Sequence, residues 1–213
     1  MSVTVKICGL TNPGDARVAV EAGADYLGFV FYPASPRYVG LTAGGWIRLV
    51  EGTPTGGVFR DQDPDLVRRV REEAGLDFVQ LHGSETPELC AEMGGRAKVI
   101  KAIPVTGSVD WGLVTTFGQV AQVLFDTASP GGGGTGRAFD WNLLAGAPSG
   151  TGFWVAGGLT PDNVALAVRT ARPTGVDVAS GVEAALGHKD AGKIKAFISA
   201  VRGMAQGREG RKT

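Results

Sequence analysis

The sequence predicts an α/β fold, a single-domain parallel eight-stranded (β/α)8 TIM barrel, and three observations favour it. Eight apolar, strand-like runs alternate with eight helix-like runs along 213 residues, a length suited to one domain. Several of the strand-like runs are apolar throughout, as expected for parallel strands that helices cover. Eight β–α repeats within one domain favour a closed barrel over an open sheet.

Each element has a local signal. The first helix is expected to start at Asn12-Pro13, a capping residue followed by proline at the first helical position. The same signature recurs at Asp63-Pro64, Thr86-Pro87 and Thr160-Pro161. Asp190 is expected to open the last helix, over residues 191–204, whereas Gly112 weakens the helix expected at 108–116. The predicted strands span residues 3–8, 25–31, 55–59, 77–81, 97–103, 120–125, 153–156 and 175–179.

The predicted domain organisation is one barrel over residues 1–205, followed by a short tail. Residues 206–213 are polar, with glycine and charged side chains, and are expected to fray. The chain is at the small end for this fold, so little of it remains for a further domain.

Composition excludes several function classes. The net charge is zero, with 21 basic and 21 acidic residues, so no overall field favours nucleic acid or an anionic membrane. No apolar run approaches the roughly 18 residues of a membrane span, and the N-terminus has no basic signal-like region. Two cysteines give no disulfide framework, and two distant histidines argue against a zinc site. We therefore expect a cytoplasmic protein with a small-molecule partner, as a monomer or a homodimer.

Cys8 is the strongest candidate for a catalytic residue. It ends the first strand, and the active site of such a barrel lies at the C-terminal ends of the strands. Strand alternation places Thr4, Lys6 and Cys8 on one face, so the Lys6 ammonium is expected to lie near the thiol and favour the thiolate. A buried lysine needs a partner, for which Asp25 and Asp177 are both candidates. The alternative is that Cys8 is a small buried apolar residue.

Asp126 follows the sixth predicted strand and lies across the barrel from the first. Two titratable groups on opposite walls suit a reaction that protonates one atom and deprotonates another. The alternative is that Asp126 only caps its own loop, through Thr127 or Ser129.

Glycine-rich loops after the seventh and eighth strands indicate a phosphate site. Gly157-Gly158 follows the seventh strand, and Ser180-Gly181 follows the eighth and is expected to form a short helical turn. Loops in these two positions bind phosphate in many barrels, through backbone N–H groups. The alternative is that the glycines only make tight turns.

Two further loops are candidates for binding. Arg37, in Ser35-Pro36-Arg37 after the second strand, is expected to clamp a carboxylate, unless it is a solvated surface arginine. After the sixth strand, the glycine-rich run 130–137 is expected to form a lid over substrate, with a long surface connection as the alternative. The lid residues are Gly133, Gly134, Thr135 and Gly136.

An ordered set of motifs resembles the phosphoribosylanthranilate isomerase family of tryptophan biosynthesis. The resemblance runs from Lys6 to about residue 195, nearly the whole chain, with family-like spacing. The motifs are Lys6-Ile7-Cys8-Gly9, Gly28-Phe29-Val30-Phe31, Ser35-Pro36-Arg37, Gln80-Leu81-His82-Gly83, Asp126-Thr127, Gly133-Gly134-Thr135-Gly136 with Phe139-Asp140-Trp141, Ala156-Gly157-Gly158-Leu159, Asn163-Val164 and Ser180-Gly181-Val182-Glu183.

This resemblance implies a cofactor-free Amadori rearrangement of N-(5-phosphoribosyl)anthranilate to 1-(2-carboxyphenylamino)-1-deoxyribulose 5-phosphate. It implies Cys8 as the general base, Asp126 as the general acid and Arg37 as the contact of the anthranilate carboxylate. The phosphate loops correspond to Gly157, Gly158, Ser180 and Gly181. Ala179 departs from the family pattern, which often has a serine there, and His82 is expected to be structural.

Two other functions are weighed against this one. The histidine-pathway Amadori isomerase, or a dual-substrate version, resembles this chain in fold and phosphate loops, but that family normally has aspartate where Cys8 stands. A non-catalytic sensor of phosphoribosyl ligands would keep the glycine loops and lose the acid–base pair, and here Cys8 and Asp126 are both present.

Overall fold

The structure, a computed structural model, describes residues 2–128 and 138–209, with side chains described as far as residue 204. Eight parallel strands form a closed barrel in sequence order, and β1 pairs with β8 to complete it. This confirms the predicted fold class. The strands are β1 (Thr4–Ile7), β2 (Tyr26–Val30), β3 (Thr55–Phe59), β4 (Phe78–Leu81), β5 (Val99–Val105), β6 (Gln122–Thr127), β7 (Phe153–Val155) and β8 (Gly175–Val178).

Seven α-helices, rather than eight, are present in the described residues. Between β6 and β7 this part of the chain has only a 3₁₀ turn, Trp141–Leu144, which Asp140 caps. Gly146, Pro148 and Gly150 follow closely and disfavour a longer helix. The helices are α1 (Pro13–Glu21), α2 (Gly44–Ile47), α3 (Pro64–Ala74), α4 (Pro87–Glu92), α5 (Trp111–Val120), α6 (Val164–Ala171) and α7 (Ala191–Glu209).

Three of the four predicted cap–proline starts are confirmed, at α1, α3 and α4. The fourth is wrong, because α6 begins at Val164 and not at Pro161. The Asn163 side chain accepts a hydrogen bond from the Thr160 N–H at 2.8 Å and donates one to the Gly158 carbonyl at 2.8 Å. These bonds fold residues 158–163 into a compact turn before the helix starts.

One strand end differs from the prediction, and the difference changes the surroundings of Asp126. The sixth strand was expected to stop at residue 125, but β6 continues through Asp126 to Thr127. The reason is that β5 extends to Val105, so that Pro104 pairs with Asp126 and Val105 with Thr127. Asp126 is therefore held in a strand ladder rather than in a loop.

The barrel interior is apolar at its N-terminal end. Tyr26 makes edge-on contacts with Phe78 and Trp154, with ring centroids 5.3 and 5.2 Å apart. Gly56 and Gly175 leave room for these rings, since a Cβ at either position would overlap with Phe78 or Trp154 respectively. Because strand side chains alternate, the next inward layer towards the C-terminal end holds Lys6, Gln80, Asp126 and Asp177.

A small hairpin not predicted from the sequence follows β8. A 3₁₀ turn, Ser180–Val182, leads into β9 (Glu183–Ala185), which pairs antiparallel with β10 (His188–Lys189). The hairpin is tied to the loop and helix after β1, because Thr11 Oγ1 donates to the Gly187 carbonyl at 2.5 Å and the Lys189 N–H donates to Asp15 at 2.8 Å. Among the described helices none is long and apolar enough to cross a membrane.

Candidate active site

A pocket at the C-terminal end of the barrel brings together most of the predicted site residues. Cys8, Arg37 and Asp126, from three separate parts of the chain, line it together with the phosphate-loop candidates Gly157, Gly158 and Ser180. Gly181 does not itself line the pocket, and it packs against the Leu159 carbonyl next to the lining residue Ser180. The predicted lid residues Gly133, Gly134, Thr135 and Gly136 lie outside the described residues.

Cys8 lies beside a buried ion pair. Lys6 is fully buried, and its Nζ lies 2.8 Å from Oδ2 of Asp177, its neighbour in the β1–β8 ladder. The other candidate partner, Asp25, instead pairs with Arg202 at 2.7 Å. Burial by itself lowers the pKa of Lys6, but Asp177 and Cys8 together outweigh this and raise it, so Lys6 is an ammonium.

The protonation of Cys8 results from opposing effects. Burial raises the pKa of the thiol, the Lys6 ammonium lowers it, and Asp177 raises it, and the net result is a pKa above the usual range. Gly28 packs tightly on both groups, because a Cβ there would lie 2.7 Å from the Cys8 sulfur and 2.9 Å from Lys6 Nζ. The resting residue at neutral pH is therefore a thiol with an ammonium beside it.

Asp126 faces donors on both of its oxygens. Oδ1 accepts a hydrogen bond from the Thr127 N–H at 2.7 Å, and Oδ2 lies 3.1 Å from Nε2 of His82. The other ring nitrogen of His82, Nδ1, lies 3.1 Å from Nε2 of Gln80. The sequence leaves two alternatives for Asp126, a cap within its own loop or a catalytic group in the pocket. The structure shows both the contact to Thr127 and the place in the pocket.

Arg37 is held by a residue that the sequence does not single out. Its Nε and Nη2 donate to the two carboxylate oxygens of Glu183 at 2.6 and 2.7 Å. Lys189 Nζ lies 3.2 Å from the same carboxylate and donates to the Ala179 carbonyl at 2.9 Å. Burial raises the pKa of Glu183, but the Arg37 hydrogen bond and the Lys189 charge outweigh it and hold that pKa below the usual range.

The position of Arg37 depends on a glycine at the end of β1. Gly9 has φ +67°, and a Cβ on it would lie 2.5 Å from Cδ of Arg37. The arginine side chain therefore packs directly on Gly9. Since Glu183 occupies one edge of the guanidinium, the Nη1 side is the edge left for a ligand in the pocket.

The two glycine loops form a joint cradle. Gly157 and Gly158 have φ +79° and +63°, conformations that favour glycine, and Gly157 packs directly on Asp126 and Thr127. A Cβ on Gly181 would overlap with the Leu159 carbonyl, so only glycine lets the 3₁₀ turn lie against the β7 loop. The first N–H groups of that turn, those of Ser180 and Gly181, have no partner within it and suit an anion.

The described residues hold no group of three or more histidine, cysteine, aspartate or glutamate side chains suited to a metal ion. The pocket offers a thiol, a carboxyl group and an imidazole for proton transfer, beside backbone N–H groups that suit an anion.

Comparison with known proteins identifies the family. Residues 5–200 match the sequence model of N-(5'-phosphoribosyl)anthranilate isomerase. The chain belongs to the N-(5'-phosphoribosyl)anthranilate isomerase family. The family resemblance inferred from the motifs is thereby confirmed. Isomerases of this name from Myxococcus xanthus and Pelobacter propionicus are 50% and 47% identical, over 95% and 92% of this chain and 97% and 94% of their own.

Solved structures of the family agree in fold. The isomerase from Thermotoga maritima is 40% identical, with a TM-score of 0.83 over 94% of this chain and 99% of that one. A phosphoribosyl anthranilate isomerase in complex with reduced 1-(o-carboxyphenylamino)-1-deoxyribulose 5-phosphate is 38% identical, with a TM-score of 0.82 over the same shares. Another Thermotoga maritima structure, at 38% identity and a TM-score of 0.83 over the same shares, is of monomers generated from a dimeric enzyme.

Proposed function

We propose that this chain converts N-(5'-phosphoribosyl)anthranilate to 1-(2-carboxyphenylamino)-1-deoxyribulose 5-phosphate in L-tryptophan biosynthesis. The observation that carries the proposal is that Cys8 and Asp126, 118 residues apart in number (126 − 8), line one pocket in a chain of this family. A family member crystallised with a reduced form of that product supports the assignment.

Asp126 is the general acid in this proposal. It gives a proton to the furanose ring oxygen, the bond from that oxygen to C1′ breaks, and the nitrogen lone pair forms a protonated Schiff base. Asp126 is suited to this role because it lies on the pocket wall within a strand ladder, which holds its carboxyl in place.

Cys8 is the general base. The cationic Schiff base acidifies the C–H bond at C2′, the Cys8 thiolate takes that proton, and the resulting enolamine tautomerises to the ketone. Because burial raises the pKa of Cys8, the thiolate is scarce in the resting enzyme, and the ammonium of Lys6 and the cationic intermediate both stabilise it.

The proposed protonation states have a consequence for pH dependence. The active enzyme needs a protonated acid together with a thiolate base, and burial raises the pKa of that base. Between the two pKa values the active fraction is small and constant, so kcat forms a plateau. The low-pH limb then reports the acid, and the high-pH limb reports Cys8.

Binding is assigned to the two ends of the substrate. The amides of Gly157, Gly158, Ser180 and Gly181 bind the phosphate. The carboxylate of the anthranilate ring lies on the Nη1 edge of Arg37, which Glu183 orients. The steps move protons between the enzyme and the substrate and electron pairs within the substrate, so the reaction needs no external oxidant or reductant and no cofactor.

We also infer the setting of the reaction. Cys8 and Cys90 are both free thiols, and a general base of this kind must stay reduced, which fits the cytoplasm. The barrel domain is proposed over residues 1–205 with the remainder as a tail, although α7 continues past that boundary to Glu209. The partner is a phosphoribosyl compound and not a nucleic acid, and the oligomeric state is a monomer or a homodimer.

The test follows the decay of substrate fluorescence, with phosphoribosylanthranilate generated in situ. Cys8→Ala and Asp126→Asn are expected to lower kcat by about 10²–10⁴-fold each. Cys90→Ala is the matched control, because that thiol is buried on α4 and does not line the pocket. If the folded wild type does not turn over this substrate, the assignment fails, and the histidine-pathway substrate and then ligand binding alone are tested.

A further inference from the structure

Three polar side chains form a continuous line from the barrel interior to the pocket. Gln80 is fully within the barrel at 2% exposure, His82 follows it two residues later, and Asp126 lies across from both on β6. The two contacts, Gln80 Nε2 to His82 Nδ1 and His82 Nε2 to Asp126 Oδ2, are both 3.1 Å long. A proton passes between heavy atoms at this separation.

The contact to Gln80 determines which ring nitrogen of a neutral His82 carries the proton. The amide nitrogen of Gln80 is a donor, so Nδ1 accepts and the single proton is on Nε2. Nε2 then presents that proton to Asp126 Oδ2. Both oxygens of Asp126 face donors in this state, an arrangement that suits a carboxylate and not a proton-bearing acid.

Gln80 also carries the means to stabilise a second state. Its Oε1 is buried and has no hydrogen-bond partner among the described residues. Rotation of the amide by 180° exchanges the two atoms and brings Oε1 opposite Nδ1. An imidazolium, with protons on both nitrogens, then donates to Gln80 on one side and to Asp126 on the other.

Resting on the function proposed above, we propose that His82 holds the proton that Asp126 delivers to the substrate, with Gln80 as the positioning residue for both forms of the ring. Every proton in this transfer is accounted for. His82 in the imidazolium form passes its Nε2 proton to Oδ2 of Asp126, and Asp126 passes one to the ring oxygen as the C1′–O bond breaks. His82 ends neutral, Asp126 ends ionised, and the Schiff base carries the positive charge.

The loop that carries His82 is fixed by a second buried ion pair. Lys101 Nζ lies 2.8 Å from Glu85 Oε2, and both side chains are about as buried as the strand core, at 4% exposure. Lys101 also donates to the Gly83 carbonyl at 2.5 Å, and Glu85 accepts the Gly83 N–H at 2.8 Å. His82 is thus a rigid part of the β4 end, which a proton-holding group requires.

Other charged groups near His82 share its surroundings and enter the pH argument. Those in the pocket are Cys8, Arg37, Arg60, Asp126 and Asp177, and those bonded to the loop after β4 are Asp61, Glu85 and Lys101. None of the variants below changes these groups, except Asp126→Asn, which serves as the reference.

The test uses substitutions that distinguish a proton-holding role of His82 from a role in maintaining the shape of the pocket. His82→Gln keeps a donor amide towards Asp126 but does not titrate. Gln80→Leu removes the acceptor that an imidazolium needs, whereas Gln80→Glu supplies a permanent one. Each protein is first checked for an unchanged far-UV spectrum and cooperative melting, and kcat is then measured from pH 5 to 10 by substrate fluorescence.

The expected result is a linked change in rate and pH profile. His82→Gln and Gln80→Leu move the low-pH limb of kcat to lower pH, and Gln80→Glu moves it to higher pH. The plateau falls by about tenfold for each pH unit that the limb moves down, since the limb and the active fraction depend on one pKa. If Gln80 and His82 only maintain the shape of the pocket, the substitutions lower kcat without moving the low-pH limb. In that case Gln80→Leu and Gln80→Glu do not move the limb in opposite directions.

The outcomes are distinguishable from failure of the proposed function. If Asp126→Asn retains wild-type kcat, the assignment of the acid fails, whatever His82 does. If Asp126→Asn is inactive while His82→Gln has the wild-type limb and plateau, the proton-holding role of His82 is overturned and the isomerase assignment remains.

Discussion

Replacing Lys6 by methionine tests how the barrel controls its thiol. Methionine has a similar length and no charge, so Lys6→Met leaves the Asp177 carboxylate unpaired in the barrel. Its Oδ2 loses the 2.8 Å contact, and its Oδ1 already has no partner among the described residues. Removing one member of a buried ion pair costs about 3–5 kcal/mol, and with exposures of 0% and 6% the pair belongs to that class.

The same change acts on Cys8. Lys6 is the largest influence that lowers the pKa of this thiol, and it outweighs Asp177, which raises it. Lys6→Met therefore moves the high-pH limb of kcat upward and lowers the neutral plateau, by about tenfold for each pH unit that the limb moves. Asp177→Asn has the opposite sign, because the Lys6 charge is then opposed by no carboxylate and the limb moves to lower pH.

The double variant Lys6→Met/Asp177→Asn separates stability from catalysis. With both charges gone, the free energy of unfolding is expected to return to within about 1–2 kcal/mol of the wild type, while the plateau in kcat stays low. Urea denaturation and the fluorescence assay are the measurements. A loss below about 1 kcal/mol in Lys6→Met, or a wild-type kcat profile in the double variant, refutes the reasoning.

The same pocket supports three further predictions. In the wild type, the high-pH limb of kcat lies above about pH 8.5, the ordinary value for cysteine, because burial raises the pKa of Cys8; a limb at pH 7 contradicts this. Glu183→Gln, measured by steady-state kinetics, raises KM by about tenfold with a smaller change in kcat, since Arg37 loses a charge-assisted partner worth roughly 1.5–3 kcal/mol. Gly181→Ala weakens binding of inorganic phosphate as a competitive inhibitor, because its Cβ collides with the Leu159 carbonyl, whereas Gly203→Ala, with open space around its Cβ, leaves inhibition unchanged.

Strand periodicity carried much of the information about the site. Alternation along β1 placed Lys6 and Cys8 on one face, and the structure has them in contact. The choice of Asp177 over Asp25 as the partner was not available from the sequence, because it depends on how the barrel closes. Only the register between β1 and β8 makes Lys6 and Asp177 neighbours.

Other features lay beyond local signals for identifiable reasons. Arg37 and Glu183 are 146 residues apart, and their bond depends on a hairpin whose strands of three and two residues have no alternating apolar pattern. The Thr160-Pro161 pair resembled a helix start, but the Asn163 side chain bonds the Thr160 N–H and the Gly158 carbonyl, residues 158–163 form a turn, and the helix begins only at Val164. His82, in contrast, was accessible to reasoning, since Gln80 and a residue two positions later share the inward face.

Catalysis needs a protonated acid and an ionised base in this pocket, and the fold supports the two in different ways. For Cys8 the remedy is a fixed charge: burial favours the thiol, and the Lys6 ammonium lowers the cost of the thiolate without titrating itself. A fixed charge does not serve Asp126, because a cation beside it stabilises the carboxylate and weakens the acid. Asp126 needs instead a neighbour that gives it a proton, so that both side chains are uncharged after the transfer. His82 lies 3.1 Å from Asp126, with Gln80 on its other side, and is placed for this role. The limbs of the kcat profile therefore respond to different residues: Lys6 and Asp177 move the high-pH limb, and Gln80 and His82 move the low-pH limb.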